Sequence, residues 1–96
     1  MNSNLKSETM DELFQAILSL ETEDDCYNFF DDLCTIKEMK SFAQRFQVAK
    51  MLDDKIVFSE IVKTTGASSA TISRVNRSLI YGSGGYKAII EKLKES

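Results

Sequence analysis

The sequence predicts an all-α chain of six helices in a single domain, 1–96. Three observations carry this. None of the 96 residues is proline, and almost no stretch alternates apolar and polar side chains as a half-buried strand would. Apolar residues recur instead at i, i+3, i+4 and i+7 through most of the chain, the stripe of an amphipathic helix. Between Phe58 and Leu79, two such stripes are separated by one glycine, the pattern of a helix-turn-helix spanning about 57–79.

Each helix has its own signals. Residues 1–6 read as a disordered terminus. Ser7 or Thr9 caps a first helix, with Glu8, Asp11 and Glu12 near its positive end. Its stripe is Met10, Leu13, Phe14, Ile17 and Leu18, and it should end near Leu20. Thr22 opens a second helix, followed by Glu23, Asp24 and Asp25. Cys26, Tyr27, Phe30, Leu33 and Cys34 share a face there, and Phe29 lies off it, which points to contact with another helix or subunit. Thr35-Ile-Lys-Glu38 is a capping box that starts the longest helix, about 35–53. Its stripe is Met39, Phe42, Ala43, Phe46, Ala49 and Leu52, widened by Val48 and Met51, with Lys40, Arg45 and Lys50 on other faces. Asp53, Asp54 and Lys55 form a turn.

The fourth helix, about 58–65, turns Ile61 and Val62 inward and ends at Gly66, which reaches the left-handed conformation at little steric cost. Ser68 or Ser69 caps the fifth, which turns Ala67, Ile72, Val75 and Leu79 inward. Ile80-Tyr-Gly-Ser-Gly-Gly85 is a flexible break without the lysine or preceding strand of a phosphate loop. Tyr86, Ile89, Ile90 and Leu93 stripe a short sixth helix.

Charge is divided along the chain. Residues 1–34 hold one base and nine acids, net −8, whereas residues 35–96 hold eleven bases and six acids, net +5. From Thr64 to Ile90 there is no acid at all, although the chain has 15. An acid-free basic stretch on a helix-turn-helix suits a polyanion. The outward side of the fifth helix is small at its start and basic further on, as suits an element entering a DNA major groove. Ser69, Ala70 and Ser73 are short enough to reach base edges or thymine methyl groups. Arg74 and Arg77 suit phosphate or guanine, and Thr71 and Lys63 the backbone. With Ser68 at the helix start, the expected interface is Lys63, Ser68, Ser69, Ala70, Thr71, Ser73, Arg74 and Arg77.

Other classes are less well served. There is no histidine, no cysteine–base pair and no evident acid pair in a pocket, so an enzyme is not expected. No metal site and no cofactor is expected either. Cys26 and Cys34 lie about 12 Å apart if they share one helix, too far for a disulfide, and read as small buried residues. No apolar run approaches the roughly 20 residues of a membrane span. The N-terminus lacks the basic start and apolar stretch of a signal peptide, so a cytoplasmic location is expected. The alternative is an acidic helical module that binds a protein partner and no DNA.

Residues 65–79, Thr-Gly-Ala-Ser-Ser-Ala-Thr-Ile-Ser-Arg-Val-Asn-Arg-Ser-Leu, resemble the Gly-Ala-x-x-Ala-Thr-Ile-[Ser/Thr]-Arg signature of the Trp repressor family. Ala70 to Arg77 is similar to the ATISRVNR hallmark of its YerC/YecD subgroup. The resemblance covers about residues 8–95. It implies a six-helix Trp-repressor-like fold, an intertwined homodimer, and a transcriptional regulator, a repressor, that reads double-stranded DNA. Two-fold symmetry then places two reading helices about 34 Å apart, matching a palindrome. One departure bears on the ligand. In the family a glycine after the motif arginine leaves room for tryptophan, whereas here Val75 follows Arg74. Val75 fills part of that space, so tryptophan is not the expected effector, and another small molecule or none is. The fourth helix also begins with Val57-Phe58 where a polar cap would help hold phosphate.

Overall fold

Helices make up all the regular structure of residues 4–96, the residues described by the computed structural model. They are α1 (Glu8–Leu18), α2 (Glu23–Leu33), α3 (Ile36–Asp53), α4 (Phe58–Thr65), α5 (Ser69–Tyr81) and α6 (Gly85–Glu95). The chain divides into two compact units, one ending at Ile36 and one running from Lys37 to Ser96. Of the terminus expected to be disordered, residues 1–3 lie outside the described residues. Lys6 is paired with Asp11 at 2.6 Å.

The first unit holds α1 and α2. Ser7, not Thr9, caps α1, its hydroxyl accepting from the Met10 N–H at 3.0 Å. The helix stops at Leu18, two residues before the expected end, because Ser19 turns its hydroxyl onto the Ala16 carbonyl at 2.6 Å. Thr22 and Asp25 close a full capping box at the start of α2, a stronger signal than the acidic first turn read from the sequence. No described residue of either helix is fully buried. That corrects the expectation for the cysteines. Cys26 is exposed, Cys34 is half-buried just past the end of α2, and both are free thiols.

The second unit has the core. Val48 and Ala49 of α3, Ile61 of α4, Ala67 in the turn, Ile72 and Val75 of α5 and Ile90 of α6 form one buried cluster. Phe46, Met51, Leu52 and Tyr86 pack around it. Leu79 is buried as well, but Val62, expected inward, is 37% exposed: α4 is short, and Ile61 alone takes the position facing the core. The far half of the α3 stripe is also open, with Phe42 and Ala43 exposed. Arg45 differs from its expected surface role. Its guanidinium carbon lies 5.1 Å from the centre of the Phe42 ring, and its Nε is buried without a hydrogen-bond partner.

Two loops hold the elements in place. After α3, Lys55 takes the left-handed conformation at φ 63°, Ile56 N–H donates to the Met51 carbonyl, and Lys55 N–H donates to that of Leu52, both at 3.0 Å. This is the double bond pattern of a Schellman end, made without glycine. Lys94, near the end of α6, reaches Asp53 at 3.1 Å and Asp54 at 3.2 Å. At the other end of α6, α5 continues two residues beyond the expected Leu79, to Tyr81. Gly82 ends it where a Cβ would sit 2.3 Å from the Ser78 carbonyl oxygen. Gly84, at φ +85°, begins α6.

Candidate nucleic-acid interface

α4, the turn 66–68 and α5 form the helix-turn-helix, and its turn is fixed from three sides. Gly66 has φ +71°, and its N–H donates to the Val62 carbonyl at 2.9 Å. The Thr65 hydroxyl donates to the Ile61 carbonyl at 2.7 Å and accepts from the Ala67 N–H at 3.1 Å. From α3, the Gln44 amide Nε2 donates to the Thr65 carbonyl at 3.0 Å. Ala67, 3% exposed, then drops into the core and delivers the chain to the start of α5.

Ser68 is the cap. Its hydroxyl accepts from the Thr71 N–H at 3.1 Å and donates to the Thr71 hydroxyl at 3.0 Å. Ser69 is therefore the first residue of α5 and has a free hydroxyl face. A capped helix start leaves its remaining early N–H groups, here those of Ser69 and Ala70, pointing out of the exposed end with the positive end of the helix dipole.

At about 100° per residue, Ala70, Ser73, Arg74 and Arg77 fall on one arc of about 100°. Ile72, Val75 and Leu79 lie on the opposite side and are the buried residues of α5. Of the eight predicted interface residues, Lys63, Ser68, Ser69, Ala70, Ser73, Arg74 and Arg77 are exposed, and Thr71 is half-buried. The structure thus brings Ala70, Ser73, Arg74 and Arg77 onto one face. It places Ser69 and Thr71 at that face's borders, commits the Ser68 hydroxyl to the cap, and leaves Lys63 on the last turn of α4. Among the described residues, ion pairs form at Lys6 and Lys94, so both arginines of the outward face carry unneutralised charge.

The start of α4 is apolar, as its sequence indicates. Val57 makes no side-chain cap, and Val57 and Phe58 are 66% and 50% exposed. Val75 is 1% exposed and sits in the cluster with Ile61 and Ile72, a packing contact between the two helices of the motif. Gln44 and Thr65 had no sequence signal. Both are polar residues on helices whose apolar stripe was the visible pattern, and they meet across 21 positions.

Comparison with known proteins agrees with the six-helix fold. The family described as Trp repressor protein matches residues 8–94. The chain belongs to the Trp repressor family. The uncharacterized protein YerC of Bacillus subtilis (strain 168) is 49% identical over 92 residues, covering 96% of this chain and 88% of that protein, which places the match within the YerC-like members of the Trp repressor family. A TrpR-like protein from Eubacterium eligens ATCC 27750 superposes with a TM-score of 0.93 at 54% identity, covering 97% of this chain and 96% of that one. A Trp repressor candidate from Staphylococcus aureus gives 0.91 at 49% identity, with 94% and 90% covered. The Trp repressor match spans both compact units, so it rests on far more than the helix-turn-helix. No helix among the described residues is long and apolar enough to cross a membrane.

Proposed function

We propose that this protein is a cytoplasmic transcriptional repressor that binds a specific double-stranded DNA site as an intertwined homodimer, with α5 in the major groove. The observation that carries the reading is the outward face of α5. Two exposed arginines one turn apart stand beside short side chains, in a stretch without acids from Thr64 to Ile90. Short residues admit the helix to the groove, and the guanidinium groups bind phosphate or guanine. Ser69, Ala70 and Ser73 read base edges. Arg74 and Arg77 give charge, while Lys63 and Thr71 hold the backbone.

The homodimer is supported by what a single chain leaves open. α1 and α2 are 11-residue amphipathic helices with no fully buried residue, too short to be stable without a partner surface. The burial of Val75 supports a repressor that does not use tryptophan, because packing takes the place of the ligand.

Fluorescence anisotropy with a labelled duplex pool tests the reading. The wild type should bind at low salt and weaken steeply as salt rises, by the release of counterions from phosphate. Arg77→Ala should bind about ten-fold more weakly and lower the salt slope by about one. A wild type that binds no duplex at low salt would instead favour a protein partner.

A further inference from the structure

We propose that Gln44, outside the helix-turn-helix, is a positioning residue that sets the pose of the reading helix through the Thr65 carbonyl. This rests on the DNA-binding reading above. Gln44 lies one helical turn ahead of Val48, on the face of α3 that enters the core, and Val48 is fully buried. Its side chain is half-buried and its Nε2 stands 3.0 Å from the Thr65 oxygen. A carbonyl only accepts, so the amide must present its nitrogen, and the orientation of the carboxamide is determined by its partner.

Thr65 is the junction. Its carbonyl takes the bond from α3, and its hydroxyl takes the Ala67 N–H at 3.1 Å while donating back to the Ile61 carbonyl at 2.7 Å. The chain therefore runs from α3 through Thr65 to Ala67, which precedes the cap Ser68. Core packing of Ile61, Ile72 and Val75 holds α4 against α5, but apolar contacts are non-directional and leave small rotations cheap. The Gln44 bond is directional. It references the turn, and so the start of α5 with Ser69, Ala70 and Ser73, to the long helix α3. Base readout depends on that pose far more than phosphate attraction does, because base contacts must match the donor and acceptor pattern in the groove, whereas the attraction to phosphate is largely a sequence-independent effect of charge.

The test compares a duplex selected from a random pool with a scrambled duplex, for the wild type, Gln44→Met, Gln44→Glu, Thr65→Val and Thr65→Ser. Methionine keeps the volume and removes the donor. Glutamate keeps the shape and turns a carboxylate on the carbonyl. Gln44→Met and Thr65→Val should lower the preference for the selected duplex by about five-fold per half-site, the factor of one hydrogen bond of ordinary net strength, or about 25-fold for two half-sites. Gln44→Glu should lose more. Thr65→Ser, which keeps the hydroxyl, should discriminate as the wild type does. Affinity for the scrambled duplex and the salt slope should not change in Gln44→Met, Thr65→Val or Thr65→Ser, whereas Gln44→Glu adds a negative charge and should weaken both duplexes somewhat while losing discrimination.

A Gln44→Met variant that discriminates within two-fold of the wild type overturns the inference. So does one that loses affinity for both duplexes in parallel, which is the mark of general destabilisation. A wild type that binds neither duplex overturns the DNA reading itself and the inference with it.

Discussion

At the scale of single residues, the proposed interface is made of side chains with few duties inside the fold. Arg74 and Arg77 make no ion pair among the described residues, and Ala70 and Ser73 are exposed between them. Ser68 is the exception, since its hydroxyl is spent on the Thr71 N–H. Ser68→Ala should cost about 1 kcal/mol of stability, read from urea unfolding, and should weaken DNA binding only through that loss. Val75 is the opposite case. It is buried between the helices of the motif, so Val75→Ala should cost about 2 kcal/mol in the same assay. Most of this was legible in the sequence because it depends on residues close together: a glycine, a capping serine and a stripe at helical spacing need no knowledge of the rest of the chain. Gln44 and Arg45 were not legible. Periodicity assigns a polar residue to the surface, whereas one holds the turn and the other has a buried Nε.

At the scale of elements, the connections do more than the helices to fix the geometry. Periodicity gave the six helices in order, with ends displaced by two residues at α1 and α5, because end positions are decided by single hydrogen bonds such as that of Ser19. The corner after α3 had no glycine to announce it. Lys55 occupies a left-handed position there, at a steric cost that glycine avoids, so Lys55→Gly should stabilise the protein by about 0.5–1 kcal/mol in urea. The same corner is gripped from α6. Lys94 is held above its ordinary value of 10.5 by its hydrogen bonds to Asp53 and then Asp54. A base whose folded value is raised contributes its full stability below its unfolded value and loses it as pH rises through the folded one. The thermal midpoint should therefore carry this contribution unchanged from neutral pH to about 10 and lose it above, and Lys94→Met should remove that alkaline component. Lys94 and Asp54 are exposed and Asp53 is half-buried, so the effect is small and should shrink in salt.

At the scale of the whole molecule, the two halves of the sequence differ in charge and in burial. The N-terminal half is acidic and its two helices have no fully buried residue, and the C-terminal half has the core and the basic face. Phe14, 46% exposed in the chain, should be covered in a homodimer. Phe14→Asp should weaken self-association by roughly 100-fold in sedimentation, with little effect on the helix-turn-helix, because two aromatic side chains are lost per dimer. The most direct test of sequence-specific binding by a two-fold reader is selection of binding duplexes from a randomised pool, followed by sequencing. The expected result is a palindrome whose half-site centres lie one helical turn apart, about 10 base pairs. Enrichment of no sequence, or of a single unrepeated site bound by one chain, would contradict it.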